Sequence, residues 1–153
     1  MVKSGEIVSG GGTISMQVVR GYLLSREQKI VRKIKEIYLA FELESVASKE
    51  EILSLYLNTI FLGNRSYGVE AAANQYFAKS INELTLAESA LIASSAQLPS
   101  RINPIRSPER SLIRRNWILG RMFKLGYIGK AQYFLAKDEP IALSQVKTRF
   151  SLD

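Results

Sequence analysis

Apolar residues recur along most of the chain at three- and four-residue steps, which is the periodicity of amphipathic helices. The clearest row consists of Ile30, Ile34, Ile37, Tyr38, Phe41 and, near its end, Val46. We expect this row to face the interior of the fold. No segment alternates apolar and polar residues between turn residues, so we predict no substantial sheet. The pattern therefore predicts an all-α domain of about seven helices.

Capping signals predict where these helices begin. Ser48 with Glu51, Thr85 with Glu88 and Ser25 with Gln28 have the spacing of capping boxes, in which two side chains satisfy free backbone amides at a helix start. Thr13 and the Ser107-Pro108 pair are further start signals. One predicted helix follows Ser25 and carries the apolar row. The other predicted helices cover residues 14–24, 49–62, 68–77, 86–97, 108–125 and 130–136.

Composition limits the classes of partner and of catalytic or metal site that this chain can have. Lys and Arg together number 21 against 14 Asp and Glu, for a formal net charge of +7, which favours nucleic acid, phospholipid surfaces or phosphate-bearing substrates without choosing among them. The chain has no cysteine and no histidine. Disulfides, thiolate metal sites, Ser-His and Cys-His arrangements and most zinc sites are therefore excluded. Acid–base chemistry is left to carboxylates, Lys or Tyr.

One charged cluster stands out. Arg32 and Lys33 lie four and three residues before Glu36, so all three project from one side of a helix. Arg20, on the preceding helix, can fold in beside them. Two cations next to a carboxylate lower its pKa and keep it ionised, which suits charge organisation better than general base catalysis. A solvated salt-bridge face is the alternative reading of the same spacing.

Two further features leave their function open. A glycine run, Gly10 to Gly12, precedes Thr13 and could hold an anion on the amides of a helix start, but it lacks the ending of a P-loop. A basic run comprises Arg106, Arg110, Arg114, Arg115 and Arg121. No nucleic-acid motif accompanies it, so we predict a solvated or membrane-facing surface and no nucleic-acid partner.

The order and spacing of these segments resemble the peptidoglycan glycosyltransferase (transglycosylase) domain of class A penicillin-binding proteins. Residues 11–20 (GGTISMQVVR) look like the second motif of that family, and residues 32–36 (RKIKE) look like the third. Residues 49–77 resemble the fourth motif, and residues 84–104 resemble the fifth. The resemblance extends over roughly residues 10–136.

The resemblance implies a lysozyme-like helical fold and polymerisation of lipid II into glycan strands for bacterial cell-wall synthesis. Glu36 would then be catalytic, stabilising the pyrophosphate leaving group with nearby cations and, as the possible cofactor, a divalent metal (Mg or Mn). The substrate-binding positions implied are Thr13, Ser15, Gln17, Arg20, Arg32, Lys33 and Gln97. The implied partners are lipid II, the growing glycan strand, an anionic membrane surface and other cell-wall synthesis proteins.

Departures from the family pattern matter as well. The first motif contains a histidine and the Glu that acts as base, and a chain without histidine does not contain it. We therefore expect these residues alone to be inactive. Gln97 stands where many relatives carry a Lys. The predicted organisation is a remnant at 1–9, a partial glycosyltransferase domain at 10–137, and a tail or linker start at 138–153.

The family acts at the outer, periplasmic face of the cytoplasmic membrane, so we expect that location. Residues 1–12 are too short and polar for a signal peptide, and no stretch is long and apolar enough to cross a bilayer. Two alternatives stay open. One is a lysozyme-like lytic enzyme acting on peptidoglycan, and the other is a non-enzymatic basic helical module that binds an anionic membrane.

Overall fold

Helices dominate the computed structural model, which describes residues 2–3, 6–7, 12–23 and 29–144. The chain divides into two units, Met1–Thr59 and Ile60–Asp153. The first contains β1 (Val2–Lys3), β2 (Glu6–Ile7), α1 (Ile14–Leu23), α2 (Lys29–Val46) and α3 (Lys49–Thr59). The second contains α4 (Val69–Phe77), a 3₁₀ turn (Ile81–Glu83), α5 (Leu86–Ser95), α6 (Pro108–Lys124) and α7 (Lys130–Asp138).

The all-α prediction is confirmed, with seven α-helices in the part of the chain that is described. The strands β1 and β2 are two residues long and pair antiparallel, with Val2 opposite Ile7. Strands of globular proteins are usually at least about three residues long, so this pair does not amount to a substantial sheet.

In the first unit, α1 packs against both α2 and α3. Val18 and Val19 of α1, Ala40 of α2 and Ile52 of α3 are buried. The small side chain of Ala40 favours close packing of α2 against α1, since a methyl group adds little bulk between two helix backbones. This contact places the charged face of α2 beside α1.

The predicted inward face of α2 is wrong. Ile30, Ile34, Tyr38 and Phe41 are all more than 60% exposed, as is Val46, and Ile37 is 38% exposed. The buried residues of α2 are instead Glu36 and Ala40, which lie on another side of the helix. The 3.6-residue period identifies an apolar face but does not say which face finds a partner. Among the described residues, nothing covers this row.

Both capping boxes that fall on described residues are confirmed. The Ser48 amide donates to Glu51 at 2.8 Å, and the Glu51 amide donates to the Ser48 hydroxyl at 3.2 Å. Thr85 and Glu88 exchange the same pair of hydrogen bonds at 2.8 and 3.1 Å. The box predicted at residues 25 and 28, and the predicted helix end at residue 24, lie outside the described residues.

Helix α3 ends at Thr59, three residues before its predicted end. The chain then turns back on itself, with Phe61 bridged to Tyr67 and the Leu62 amide donating to the Ser66 carbonyl at 2.9 Å. Gly63 makes this turn possible. It has φ +88° and its Cα lies so close to the Pro99 carbonyl that a Cβ would sit 2.6 Å from that oxygen.

Two apolar clusters form the core of the second unit. One joins Leu62 to the Ala-rich helix α4 and to α5, and Ile141 and Leu143 pack against it. The other lies between α5, α6 and α7 around Leu119. Part of the predicted tail after residue 138 is therefore packed against the core, and residues 145–153 lie outside the described part.

Arg115 belongs to this core and not to the surface predicted for the basic run. It is 1% exposed, and its guanidinium donates to the carbonyls of Lys137 and Glu139, both at 2.7 Å. These carbonyls close the end of α7, so the cation satisfies oxygens that the helix itself leaves free. No helix in the described part of the chain combines the length and apolar composition needed to cross a bilayer.

Candidate functional site

The start of α1 lies close to the side chains of Arg20 and Lys33. A Cβ on Gly12 would stand 3.4 Å from Nη2 of Arg20 and 3.7 Å from Nζ of Lys33. The glycine thus lets the backbone approach both charged groups. Thr13 is exposed, and its hydroxyl accepts a hydrogen bond from the Met16 amide at 3.2 Å, as a helix cap does. The free amides of a helix start attract anions, so the backbone and the cations favour the same kind of ligand.

Glu36 lies at the centre of the charged groups. Arg20 donates to both of its carboxylate oxygens, from Nε to Oε1 at 2.8 Å and from Nη2 to Oε2 at 2.9 Å. Lys33 Nζ lies 3.3 Å from Oε2, and Arg32 Nε lies 3.6 Å from Oε1. We call these three basic residues and Glu36 the cation cluster. A forked guanidinium pair of this kind fixes orientation as well as charge.

Burial differs sharply within the cation cluster. The Glu36 side chain is 2% exposed, whereas those of Arg20, Arg32 and Lys33 are 38–42% exposed. The carboxylate therefore lies beneath the three cations and holds them from the inner side. Within the cation cluster itself three positive groups surround one negative group, and the exposed parts of the cations face solvent. Such a surface is suited to a ligand with several negative charges.

The pKa of Glu36 shows which chemistry the carboxylate can perform. Its hydrogen bonds from Arg20 hold the pKa below the ordinary value of 4.5, against the opposing effect of burial and with further help from Lys33. The group is therefore ionised at neutral pH. It can orient cations, but it has no proton to give and is a poor base near neutrality.

The remaining predicted site residues differ in exposure and in their partners. Ser15 is buried and donates its hydroxyl hydrogen bond to Glu44 Oε1. Gln17 is exposed, and its side-chain amide donates to the Gly12 carbonyl at 3.3 Å. Gln97 belongs to the other unit, where α5 ends at Ser95 and leaves Gln97 exposed in the turn that follows. The structure thus gathers every predicted site residue except Gln97 within the first unit.

Sequence reasoning missed Glu44 and the role of Met16. Glu44 lies eight residues after Glu36, so the two carboxylates share a side of α2, and that spacing was the available signal. Met16 Sδ lies 3.7 Å from Lys33 Nζ and so helps to position the ammonium group. No sequence rule predicts a contact between a thioether and a lysine on a different helix.

A protein-held divalent metal does not fit these residues. Within the described ranges, no three side chains of the types Asp, Glu, His or Cys converge. Both oxygens of Glu36 already accept hydrogen bonds from Arg20, and three cations surround them. Mg²⁺ is usually held by one or two carboxylates together with substrate phosphates, and the buried carboxylate here is already surrounded by cations. The cations themselves provide the positive charge of this site.

Comparison with known proteins gives a consistent result. The family model described as "Transglycosylase" matches residues 1–123. The chain is 53% identical over 144 residues to penicillin-binding protein 1A of Pseudomonas aeruginosa, which covers 94% of this chain and 18% of that protein. It is 43% identical over 140 residues to a putative transglycosylase of Cupriavidus necator, which covers 92% of this chain and 61% of that protein.

A solved structure agrees with the fold. The crystal structure of penicillin-binding protein 1A from Haemophilus influenzae matches with a TM-score of 0.61 and 40% sequence identity, over 94% of this chain and 18% of that one. The predicted lysozyme-like helical fold is confirmed. The chain spans only about a fifth of the length of the penicillin-binding proteins it matches, so their activities belong to longer chains. The family match over most of the sequence nevertheless shows that this chain belongs to the transglycosylase family.

Proposed function

We propose that this chain forms the pyrophosphate-binding part of a peptidoglycan glycosyltransferase that polymerises lipid II. The observation that supports the proposal most strongly is the cation cluster, in which a buried carboxylate holds three half-exposed cations beside the start of α1. In this reaction the 4-hydroxyl of the acceptor sugar attacks the anomeric carbon, and the bond to undecaprenyl pyrophosphate breaks with inversion. The electron pair of that bond goes to the pyrophosphate.

The cation cluster suits the leaving group. Arg20, Arg32 and Lys33 stabilise the negative charge that grows on the pyrophosphate oxygens, and they do so most strongly in the transition state. Glu36 keeps the three cations in place before the substrate binds, so little reorganisation is needed during the reaction. Positive charge comes from side chains, and the proposal requires no resident metal.

Four more residues are proposed as substrate contacts. Thr13 and Gln17 are proposed to contact the sugar or the phosphate, and their exposure near the start of α1 supports this. Ser15 reaches the substrate only by giving up its hydrogen bond to Glu44. Gln97 is proposed as a further substrate contact, as an amide donor where many relatives have a cation. The base that removes the acceptor proton is not among these residues.

The proposed place of action is the outer face of the cytoplasmic membrane, where a lipid-linked precursor is presented. Growing glycan and other cell-wall synthesis proteins are the proposed partners. A lytic, lysozyme-like reaction is disfavoured because it needs a carboxylic acid that stays protonated near neutral pH, and the pKa of Glu36 is lowered.

The proposal is tested by the binding of labelled lipid II in detergent micelles, with and without EDTA. We expect the chain to bind but to form no polymer. Arg20→Gln should lower the affinity by roughly tenfold or more, because it removes a charged donor from the site. Arg101→Gln is the matched control, since Arg101 is an exposed cation of the second unit. Equal affinity of the parent and Arg20→Gln, or loss of binding in EDTA, contradicts the proposal.

A further inference from the structure

Helix α6 has two very different sides. Ser111, Arg115 and Leu119 follow one another at four-residue steps and are buried in the second unit. The opposite side carries a row that we call the outer α6 face, and it consists of Arg110, Ile113, Arg114, Trp117, Arg121 and Lys124. From Arg110 to Lys124 this face extends about 21 Å along the helix.

The outer α6 face combines positive charge with exposed apolar groups. Ile113 is 71% exposed and Trp117 is 56% exposed. The guanidinium of Arg114 lies 4.3 Å from the centroid of the Trp117 ring. Within the described part of the chain, none of the four cations of this face has a carboxylate within ion-pairing distance. Glu109, in the first turn, is the one acidic residue of α6.

The outer α6 face sets a half-exposed indole and an exposed isoleucine among cations that have no carboxylate partner among the described residues. It matches the boundary of a bilayer, where indole rings settle at the headgroups and long cationic side chains reach anionic phosphates. Amphipathic helices with this composition lie in the plane of a membrane. Nucleic acid would satisfy the cations but would leave Ile113 without an apolar environment. Charge complementarity and the two apolar side chains together favour anionic lipid.

We propose that the outer α6 face docks on an anionic phospholipid bilayer, with Trp117 and Ile113 entering the headgroup region and the four cations binding lipid phosphates. The inference rests on the proposed function, which supplies the lipid-linked substrate and hence the membrane. It adds a contact surface that shares no residue with the cation cluster.

Trp117 is the single tryptophan of the chain and so reports on this face alone. Its fluorescence is measured with vesicles of phosphatidylglycerol and phosphatidylethanolamine, and with vesicles of phosphatidylcholine. We expect a blue shift and quenching by brominated lipid with the anionic vesicles only. An unchanged spectrum, or the same shift with phosphatidylcholine, overturns the proposal.

A pair of double variants separates this face from general charge. Arg110→Glu with Arg121→Glu should reduce partitioning onto anionic vesicles by at least about 30-fold at low salt, since each cation near such a surface contributes roughly a fivefold factor. Arg101→Glu with Lys130→Glu changes the net charge equally but lies off this face, so it should reduce partitioning much less. Equal reduction in both double variants overturns the proposal. It is also overturned if the Trp117 fluorescence shows that the protein binds single-stranded DNA more strongly than the vesicles.

Failure of this inference and failure of the proposed function are distinguishable. Binding of inorganic pyrophosphate is measured without vesicles for the parent and for both double variants, with circular dichroism as a check on folding. Unchanged pyrophosphate affinity in the Arg110 and Arg121 variant, together with lost vesicle binding, supports a separate lipid surface. If the folded Arg110 and Arg121 variant loses pyrophosphate binding, the two sites are not independent and the lipid-surface proposal is contradicted. If the parent binds vesicles but no pyrophosphate, only the proposed function is contradicted.

Discussion

Replacing Glu36 by Gln tests whether the buried carboxylate holds the cation cluster together. The substitution keeps the shape of the side chain but removes its charge. One of the two oxygens becomes an amide nitrogen, which faces a donor of Arg20 at a position where Oε1 or Oε2 now accepts at 2.8 or 2.9 Å. Arg32 and Lys33 lose their counter-ion at the same time.

The magnitude follows from burial. Removing one partner of a fully buried ion pair typically costs about 3–5 kcal/mol. Here only the carboxylate is buried, while the three cations are 38–42% exposed and keep part of their hydration. We therefore expect the free energy of unfolding to fall by about 2–3 kcal/mol, in line with the loss of charge-assisted hydrogen bonds.

Urea unfolding followed by far-ultraviolet circular dichroism measures this change at pH 7. The matched control is Glu50→Gln, because Glu50 is an exposed carboxylate on α3 and should contribute less than about 1 kcal/mol at a helix start. A fall below 0.5 kcal/mol for Glu36→Gln, or an equal fall for Glu50→Gln, refutes the reasoning.

The same variant has a defined pH dependence. Because the folded state lowers the pKa of Glu36 below 4.5, the carboxylate stabilises the fold above that pH, and the stabilisation is lost as the pH falls through the folded-state pKa. The difference in unfolding free energy between parent and Glu36→Gln should therefore be constant near neutrality and shrink in acid. A difference that grows below pH 4.5 contradicts the sign of the shift.

Two further predictions concern buried polar groups of the second unit. Tyr76→Phe removes the hydrogen bond from the Tyr76 hydroxyl to the Leu62 carbonyl at 2.7 Å and should cost about 1–2 kcal/mol in urea unfolding. Burial raises the pKa of Tyr76 to about 12 from 10.0, so the parent alone should lose this hydroxyl's contribution as the pH rises through that range. Arg115→Met leaves the carbonyls of Lys137 and Glu139 without their donor and should cost about 2–4 kcal/mol; a loss below 1 kcal/mol contradicts the assignment of Arg115 as the cap of α7.

Local chemistry was predictable from the sequence. Ser48 with Glu51 and Thr85 with Glu88 form the expected capping boxes, because both partners of each box lie within one turn and need no tertiary contact to find each other. The ion pair of Glu36 with Arg32 and Lys33 follows from helical spacing for the same reason. Contacts set within a few residues are therefore the ones that sequence reasoning recovered.

Tertiary choices were not predictable in the same way. Arg115 and Arg114 are neighbours in a basic run, yet one is buried against the end of α7 and the other covers Trp117 at the surface. A rotation of 100° per residue separates the two side chains on α6, and only the partner helix decides which one is enclosed. Ser15 finds its partner Glu44 across two helices, 29 residues away.

Helix α2 buries its charged face and exposes its apolar row, which is the opposite of the prediction from sequence, and this difference bears on function. A helix that buries Glu36 while Phe41 stays 69% exposed gives up apolar burial for an ionic contact, and buried ionic contacts contribute little net stability. Sequences depart from the usual hydrophobic pattern mainly where function requires it. The departure here coincides with a place where cations, a helix start and a close glycine approach converge among the described residues. The packing of α2 therefore supports, by an argument independent of family resemblance, the assignment of this face to binding a multiply charged anion.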